Sequence, residues 1–186
     1  MRIAISGTHF SGKSTLIANF LNKNPCYHHY QEPYYELAQQ EQGASDFSME
    51  SMQEQLAMSI QLLEESTDYE DVIFDRCPID FIAYMMYFAE TDHFDLADSE
   101  ISESFEPVIE AIQTLDLIVF LPLGADCQIE YFDSDTDMRN DVDRHFKQLY
   151  RDNTFGLFPD YNEPPIIELS GDQHTMLSKI QLITAT

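Results

Sequence analysis

Strand-length apolar segments alternate with helix-length amphipathic ones along the whole chain. Ile3 to Ser6 predicts a first strand, and Lys13 to Leu21 predicts a helix, since Leu16, Ile17, Phe20 and Leu21 recur at steps of three and four. His28 to Gln31 reads as a weaker strand, followed by helical stretches at Tyr34 to Gln42 and Met49 to Glu65. Val72 to Phe74 has the pattern of a buried strand that stops at Asp75, and Pro78 to Ala89 opens with proline at the first helical position, where its missing N–H is no loss. A helix over Ser104 to Thr114 leads to Leu117–Leu121, a continuous apolar run of the kind found in central parallel strands. Leu123 to Arg151 is the least regular segment, and a strand at Ile166 to Leu169 and a helix after Asp172 complete the order. This alternation has no internal repeat or low-complexity linker. It predicts one doubly wound α/β domain over residues 1–186, with helices on both faces of a parallel sheet of about five strands.

Composition narrows the partners. Thirty-four Asp and Glu against nine Lys and Arg give a formal charge of -25, which disfavours binding to a nucleic-acid backbone through a broad basic surface. Much of the acid lies between Glu90 and Glu110 and between Asp126 and Asp143, as expected for a solvated surface or for the docking of a basic protein. Cys26, Cys77 and Cys127 are far apart and show no C-x-x-C spacing, so neither a disulfide framework nor a zinc site is expected, and a reducing cytoplasm suits the chain. The longest apolar run, Phe81 to Ala89, falls well short of the ~18 residues of a membrane span, and a motif beginning at Gly7 leaves no room for an expected leader.

That motif carries the chemistry. Gly7-Thr8-His9-Phe10-Ser11-Gly12-Lys13-Ser14 matches G-x-x-x-x-G-K-[ST] at every fixed position, with Thr15 after it. It sits between an apolar strand and an amphipathic helix, where the mechanism needs it. Gly7 and Gly12 let the backbone turn tightly and approach phosphates, so that successive N–H groups point into one concavity at a helix N-terminus. Lys13 is expected to reach the β and γ phosphates of ATP and Ser14 to complete the shell of Mg²⁺. His9 stands at a variable position and reads as packing or loop support.

Asp75, at the carboxyl end of an apolar strand, is the candidate carboxylate on the metal side, and Arg76 is either a substrate contact or half of a surface ion pair. Arg139, Arg144, Lys147 and Arg151 cluster in an otherwise acidic chain. If helical, the last three share a face, either as a mobile lid over residues 123–151 that supplies Arg139 and Arg144 to the phosphates, or as partners of Asp141 and Asp143. Asp133, Asp135 and Asp137 have the opening spacing of a calcium loop but lack its glycine and closing glutamate, and His28 and His29 point to opposite sides of a strand.

The chain resembles P-loop kinase-like proteins, in particular the small bacterial ATP-binding group that includes the ribosylnicotinamide kinase domain and shares motifs with deoxynucleoside kinases. The resemblance rests on the P-loop, on Gln31-Glu32-Pro33, on Asp75-Arg76-Cys77-Pro78-Ile79-Asp80 with Ala83-Tyr84 after it, on the arginine-bearing segment, and on Leu169-Ser170-Gly171. It implies Glu32 near the acceptor hydroxyl, Asp75 and Arg76 beside magnesium and substrate, Arg139 or Arg144 from the lid, and Ser170 with Gly171 bordering the adenine. The chain departs from the group in having no tryptophan in the glutamate motif and in placing Cys77 where serine or glycine is commoner. The expected activity is transfer of the ATP γ-phosphoryl to a hydroxyl of a nucleoside-like or nucleotide-like small molecule. The alternative is a regulatory ATPase acting on a protein. A GTPase is disfavoured because neither N-K-x-D nor D-x-x-G occurs, and the oligomeric state is not expressed in the sequence.

Overall fold

The computed structural model describes residues 1–39, 47–98, 100–124, 133–159 and 163–184. The expected helical residues Gln40 to Gln42, Cys127 and the part of the expected lid at 125–132 lie outside the described residues.

Five strands, β1 (Arg2–Ser6), β2 (His28–Tyr30), β3 (Val72–Asp75), β4 (Leu117–Phe120) and β5 (Ile166–Glu168), form one parallel sheet in the order β2-β3-β1-β4-β5. The helices are α1 (Lys13–Lys23), α2 (Pro33–Gln39), α3 (Met49–Glu65), α4 (Pro78–Thr91), α5 (Phe105–Ile112), α6 (Asp133–Asp152) and α7 (Gln173–Thr184). Alternation along the central strands decides which helices lie on which face. Ile3, Ile5, Ile73, Leu117 and Val119 point to the side covered by Leu16, Ile17 and Phe20 of α1 and by Met176, Leu177 and Ile180 of α7. Ala4, Val72, Phe74, Ile118 and Phe120 point to the opposite side, where α3, α4, α5 and α6 build the larger core. The sheet is therefore wound on both faces, as the sequence pattern predicts.

One local reading needs correction. The stretch read as least regular contains a twenty-residue helix, α6. Its hydrophobic signal is thin because Val142, Phe146 and Leu149 make a narrow buried stripe among charged residues. Ahead of β4 the helix begins where expected, with Ser104 at its N-cap, and two 3₁₀ turns, Leu96–Asp98 and Glu100–Ser104, precede it.

The side chain of Arg2, on the innermost strand, joins the ends of two helices. Its guanidinium donates to the carbonyls of Leu63 (2.7 Å) and Ser66 at the end of α3, and to the carbonyl of Thr114 (2.8 Å) just past α5. Helix C-termini carry carbonyls with no intrahelical partner and a partial negative charge, so one buried cation serves both. Replacing it with an apolar side chain of similar length leaves these acceptors buried and unmet. Arg2→Met is therefore expected to lose about 2–4 kcal/mol of stability, read as a lowered urea midpoint with unchanged slope. An unaltered midpoint would show that the cation is replaceable.

Candidate active site

The carboxyl ends of β1 and β3 and the start of α4 meet at the phosphate loop. Gly7 and Gly12 take φ of 144° and 94°, in the region that side chains resist. A Cβ on Gly7 would lie 2.8 Å from the carbonyl oxygen of Leu121, so the turn also needs glycine for space. The first hydrogen bond of α1 runs from the Leu16 N–H to the Gly12 carbonyl at 3.0 Å. The amides of Lys13, Ser14 and Thr15 thus precede the helical ladder, which is the arrangement that suits an anion.

Lys13 is buried and donates from Nζ to the Gly7 carbonyl (2.9 Å) and the Thr8 carbonyl (2.8 Å). Burial, with the nearby Arg76 cation, pushes the ammonium down to about 7 against the pull of Asp80, Asp75 and Glu32. The Ser14 hydroxyl donates to Asp75 Oδ2 at 3.2 Å. Asp75 Oδ1 is buried and makes no hydrogen bond among the described residues. Burial raises the Asp75 carboxyl, and Lys13 and Arg76 offset part of that rise. A serine hydroxyl beside a half-satisfied buried carboxylate is a donor set that fits a hard divalent cation such as Mg²⁺.

Arg76 ties the phosphate loop to the carboxylates beside it. Its backbone has φ 79°, a conformation that costs a non-glycine residue about 1–3 kcal/mol and that turns the side chain back under the loop. Nε donates to Glu32 Oε1 (2.6 Å), while Nη1 reaches the Gly7 carbonyl (3.1 Å) and Asp80 Oδ1 (3.3 Å). The guanidinium also lies over the Tyr84 ring at 5.3 Å. Burial opposes its charge, but Tyr84, Glu32, Asp80 and Asp75 outweigh it and hold the group well above its ordinary value. Glu32 stands just before α2, where Pro33 keeps it extended. It opens with Arg76, Gln55, Tyr84, His9 and Phe10 onto a cavity of about 470 Å³.

The sequence candidates are not all brought together. Lys13, Ser14, Glu32, Asp75 and Arg76 converge, and the P-loop residues Thr8, His9, Phe10, Ser11 and Thr15 surround them. Arg139 joins from α6 by donating to the carbonyls of His9 and Phe10, each at 3.2 Å. Arg144 does not join: it is exposed and paired with Glu90 (2.5 Å) and Asp141 (3.3 Å). The other two members of the expected lid face are likewise paired, Lys147 with Asp143 and Arg151 with Glu168. Ser170 and Gly171 form an exposed turn after β5, and the Gln173 amide that follows donates to the Gly12 carbonyl at 3.2 Å.

Asp80, which the sequence does not single out, also belongs to the site. Its Oδ1 accepts the Gly7 N–H and its Oδ2 accepts the Cys77 N–H, both at 3.1 Å. The spacing Cys77-Pro78-Ile79-Asp80 is that of a capping box, which could have marked it. Gln55, buried in α3, gives no such signal.

A family model described as an AAA domain matches residues 2–161. The chain belongs to that family. No curated protein matches it. Among solved structures, deoxyadenosine kinase from M. mycoides with bound dATP resembles this AAA-domain protein with a TM-score of 0.72 at 19% identity, over 100% of both chains. The same kinase with the products dCMP and a flexible dCDP gives 0.72 at 18%, over 100% of this chain and 99% of that one. The fold of this AAA-domain protein is thus that of a P-loop kinase, and no helix among its described residues is long and apolar enough to cross a membrane.

An ammonium held down near 7 is partly neutral at mildly alkaline pH, and triphosphate oxygens favour its charged form. Mg-ATP binding at pH 8 is therefore expected to take up protons, seen calorimetrically as a binding enthalpy that differs between Tris and phosphate buffers. Lys13→Met should abolish the buffer dependence and weaken binding while the protein stays folded. Equal affinity in that variant would remove Lys13 from the phosphate site.

Proposed function

We propose that this AAA-domain protein is an ATP-dependent small-molecule kinase that moves the γ-phosphoryl to a hydroxyl of a nucleoside-like acceptor. The observation that carries the reading is the shared wall between cradle and cavity. His9 and Phe10 belong to the phosphate loop and also line the cavity that holds Glu32 and Arg76. A hydroxyl bound there lies next to the loop, as in-line transfer requires.

The cavity suits a flat, mostly apolar ring with a few hydrogen-bonding groups. Met52, Phe81 and Met138 supply apolar walls, and Gln55 supplies an amide. Among the described residues that line it, Arg76 is the one lysine or arginine, and it is already committed to Glu32 and Asp80. That commitment favours an uncharged nucleoside over a nucleotide, whose own phosphate would need a cation of its own. The likeness in fold to a deoxyadenosine kinase supports the same class.

Each residue then has a task. Lys13 and the loop amides bind the donor phosphates, and Ser170 with Gly171 border the adenine. Ser14 and Asp75 would hold Mg²⁺, which when bound neutralises phosphate charge. Arg139 is the cation closest to the loop from the lid helix. Glu32 accepts the proton of the acceptor hydroxyl as its oxygen forms the new bond to phosphorus and the bond to the leaving ADP breaks, and Arg76 orients that carboxylate.

A panel of deoxynucleosides, ribonucleosides, their monophosphates and ribosylnicotinamide with Mg-ATP should give an increment of one phosphoryl group on an uncharged member, read by product mass. ADP formation indifferent to every acceptor would point instead to a regulatory ATPase. With the acceptor in hand, Glu32→Gln keeps the hydrogen bond from Arg76 but cannot take a proton, and kcat is expected to fall about 10²–10⁴-fold with ATP affinity nearly unchanged. Wild-type turnover would leave the carboxylate no role in proton transfer.

A further inference from the structure

The carbonyl of Gly12 accepts two hydrogen bonds. One comes from the Leu16 N–H at 3.0 Å and begins α1, and the other comes at 3.2 Å from Nε2 of Gln173, the first residue of α7. Glycine leaves the room for it, since a Cβ on residue 12 would lie 2.7 Å from that same nitrogen. The amide can face the carbonyl in only one sense, because turned over it would set oxygen against oxygen.

Gln173 is itself held in place. Asp172 caps α7 by accepting the Thr175 N–H on Oδ1 at 3.0 Å and the Thr175 hydroxyl on Oδ2 at 2.7 Å, and its carbonyl takes the Met176 N–H at 3.1 Å. Met176, Leu177 and Ile180 pack α7 against Leu16, Ile17 and Phe20 of α1. The amide thus reaches Gly12 from a helix whose place beside α1 is fixed by buried contacts.

Stability alone does not account for a glutamine here. Its Oε1 is buried and makes no hydrogen bond among the described residues, an unfavourable state that a leucine of similar size would avoid. The Gly12 carbonyl keeps its bond from Leu16 in either case. What the Gln173 amide adds is direction. In a trans peptide the C=O and N–H point opposite ways in one plane. Holding the Gly12 carbonyl from α7 therefore turns the Lys13 N–H out of the helix end, where the amides that precede the ladder suit an anion. Helix ends fray, and glycine, here at φ 94°, resists rotation of the next peptide least.

We infer that Gln173 is a positioning residue of the phosphate loop, which holds the Gly12–Lys13 peptide so that the Lys13 N–H is aimed at the donor phosphates. Gln173 follows closely on Ser170 and Gly171, the turn proposed to border the adenine, so the base side and the phosphate side of the donor site are tied together through α7. The inference rests on the loop's binding of a nucleoside triphosphate and is independent of which acceptor the cavity takes.

The test measures by calorimetry the Kd of Mg-ATP and of magnesium tripolyphosphate, which has the phosphates and no base, together with the urea midpoint of each protein. Gln173→Leu keeps the bulk of the side chain without its donor and removes the unmet acceptor as well. Both Kd values are expected to rise about three- to tenfold, the worth of one hydrogen bond, while the urea midpoint stays level or rises. Gln173→Ala should give the same rise in both Kd values, and serves should the leucine variant not fold. Unchanged Kd values in the folded variant, whatever the midpoint does, would mark a merely structural residue and overturn the assignment. So would a loss confined to Mg-ATP, since that places Gln173 against the base and not behind the phosphates. Wild-type protein that binds neither compound would overturn the phosphate-site reading itself, and this inference with it.

Discussion

Asp80 is fully buried, and three parts of the molecule meet on its two oxygens. One oxygen takes the Gly7 N–H at the entry to the phosphate loop and the Arg76 guanidinium. The other takes the Cys77 N–H at the start of α4. A carboxylate removed from water needs most of its acceptor sites filled, and here each is filled by a group whose position matters to the chemistry. Fixing Asp80 fixes the register between β1, which leads into the phosphate loop, and the turn after β3, which carries Arg76. Removing it would take from the buried Arg76 one of the two carboxylates that its guanidinium touches.

The arrangement also accounts for the small number of cations in the site. Nine lysines and arginines serve a chain with thirty-four acids. Arg2 is committed to helix ends, and Arg144, Lys147 and Arg151 are paired with carboxylates on or near the surface. Of the other five, Lys13, Arg76 and Arg139 lie around the loop, and each touches a backbone carbonyl of residues 7 to 10. Positive charge is gathered where phosphate charge would be met, and the acidic remainder of the chain discourages anions elsewhere.

Most of this was legible in the sequence, for reasons that differ by element. The strands could be read because buried parallel strands must be apolar throughout, as Leu117–Leu121 is, and the P-loop because glycine at 7 and 12 is demanded by backbone geometry. That Glu32 and Asp75 lie beside the loop could be read because parallel strands of such a sheet end on one edge. Arg144 misled because charge spacing shows which residues share a helix face but not what that face meets. Here Glu90, fifty-four positions away, met it. Asp80 and Tyr84 were visible in the quoted motif, but their roles depend on contacts across more than seventy residues, with Gly7 and His9, and no local period encodes those.

The left-handed backbone at Arg76 bears on how such a site can change over generations. Glycine would suit that φ and asparagine would tolerate it, but neither carries a guanidinium. Lysine keeps the charge but loses the planar fork that reaches Glu32, Gly7 and Asp80 together. No single exchange relieves the backbone without dissolving the network, so the position sits on a local summit of the fitness landscape. The side chains that wall the cavity can be exchanged one at a time, while Arg76 and its two carboxylates change together or not at all.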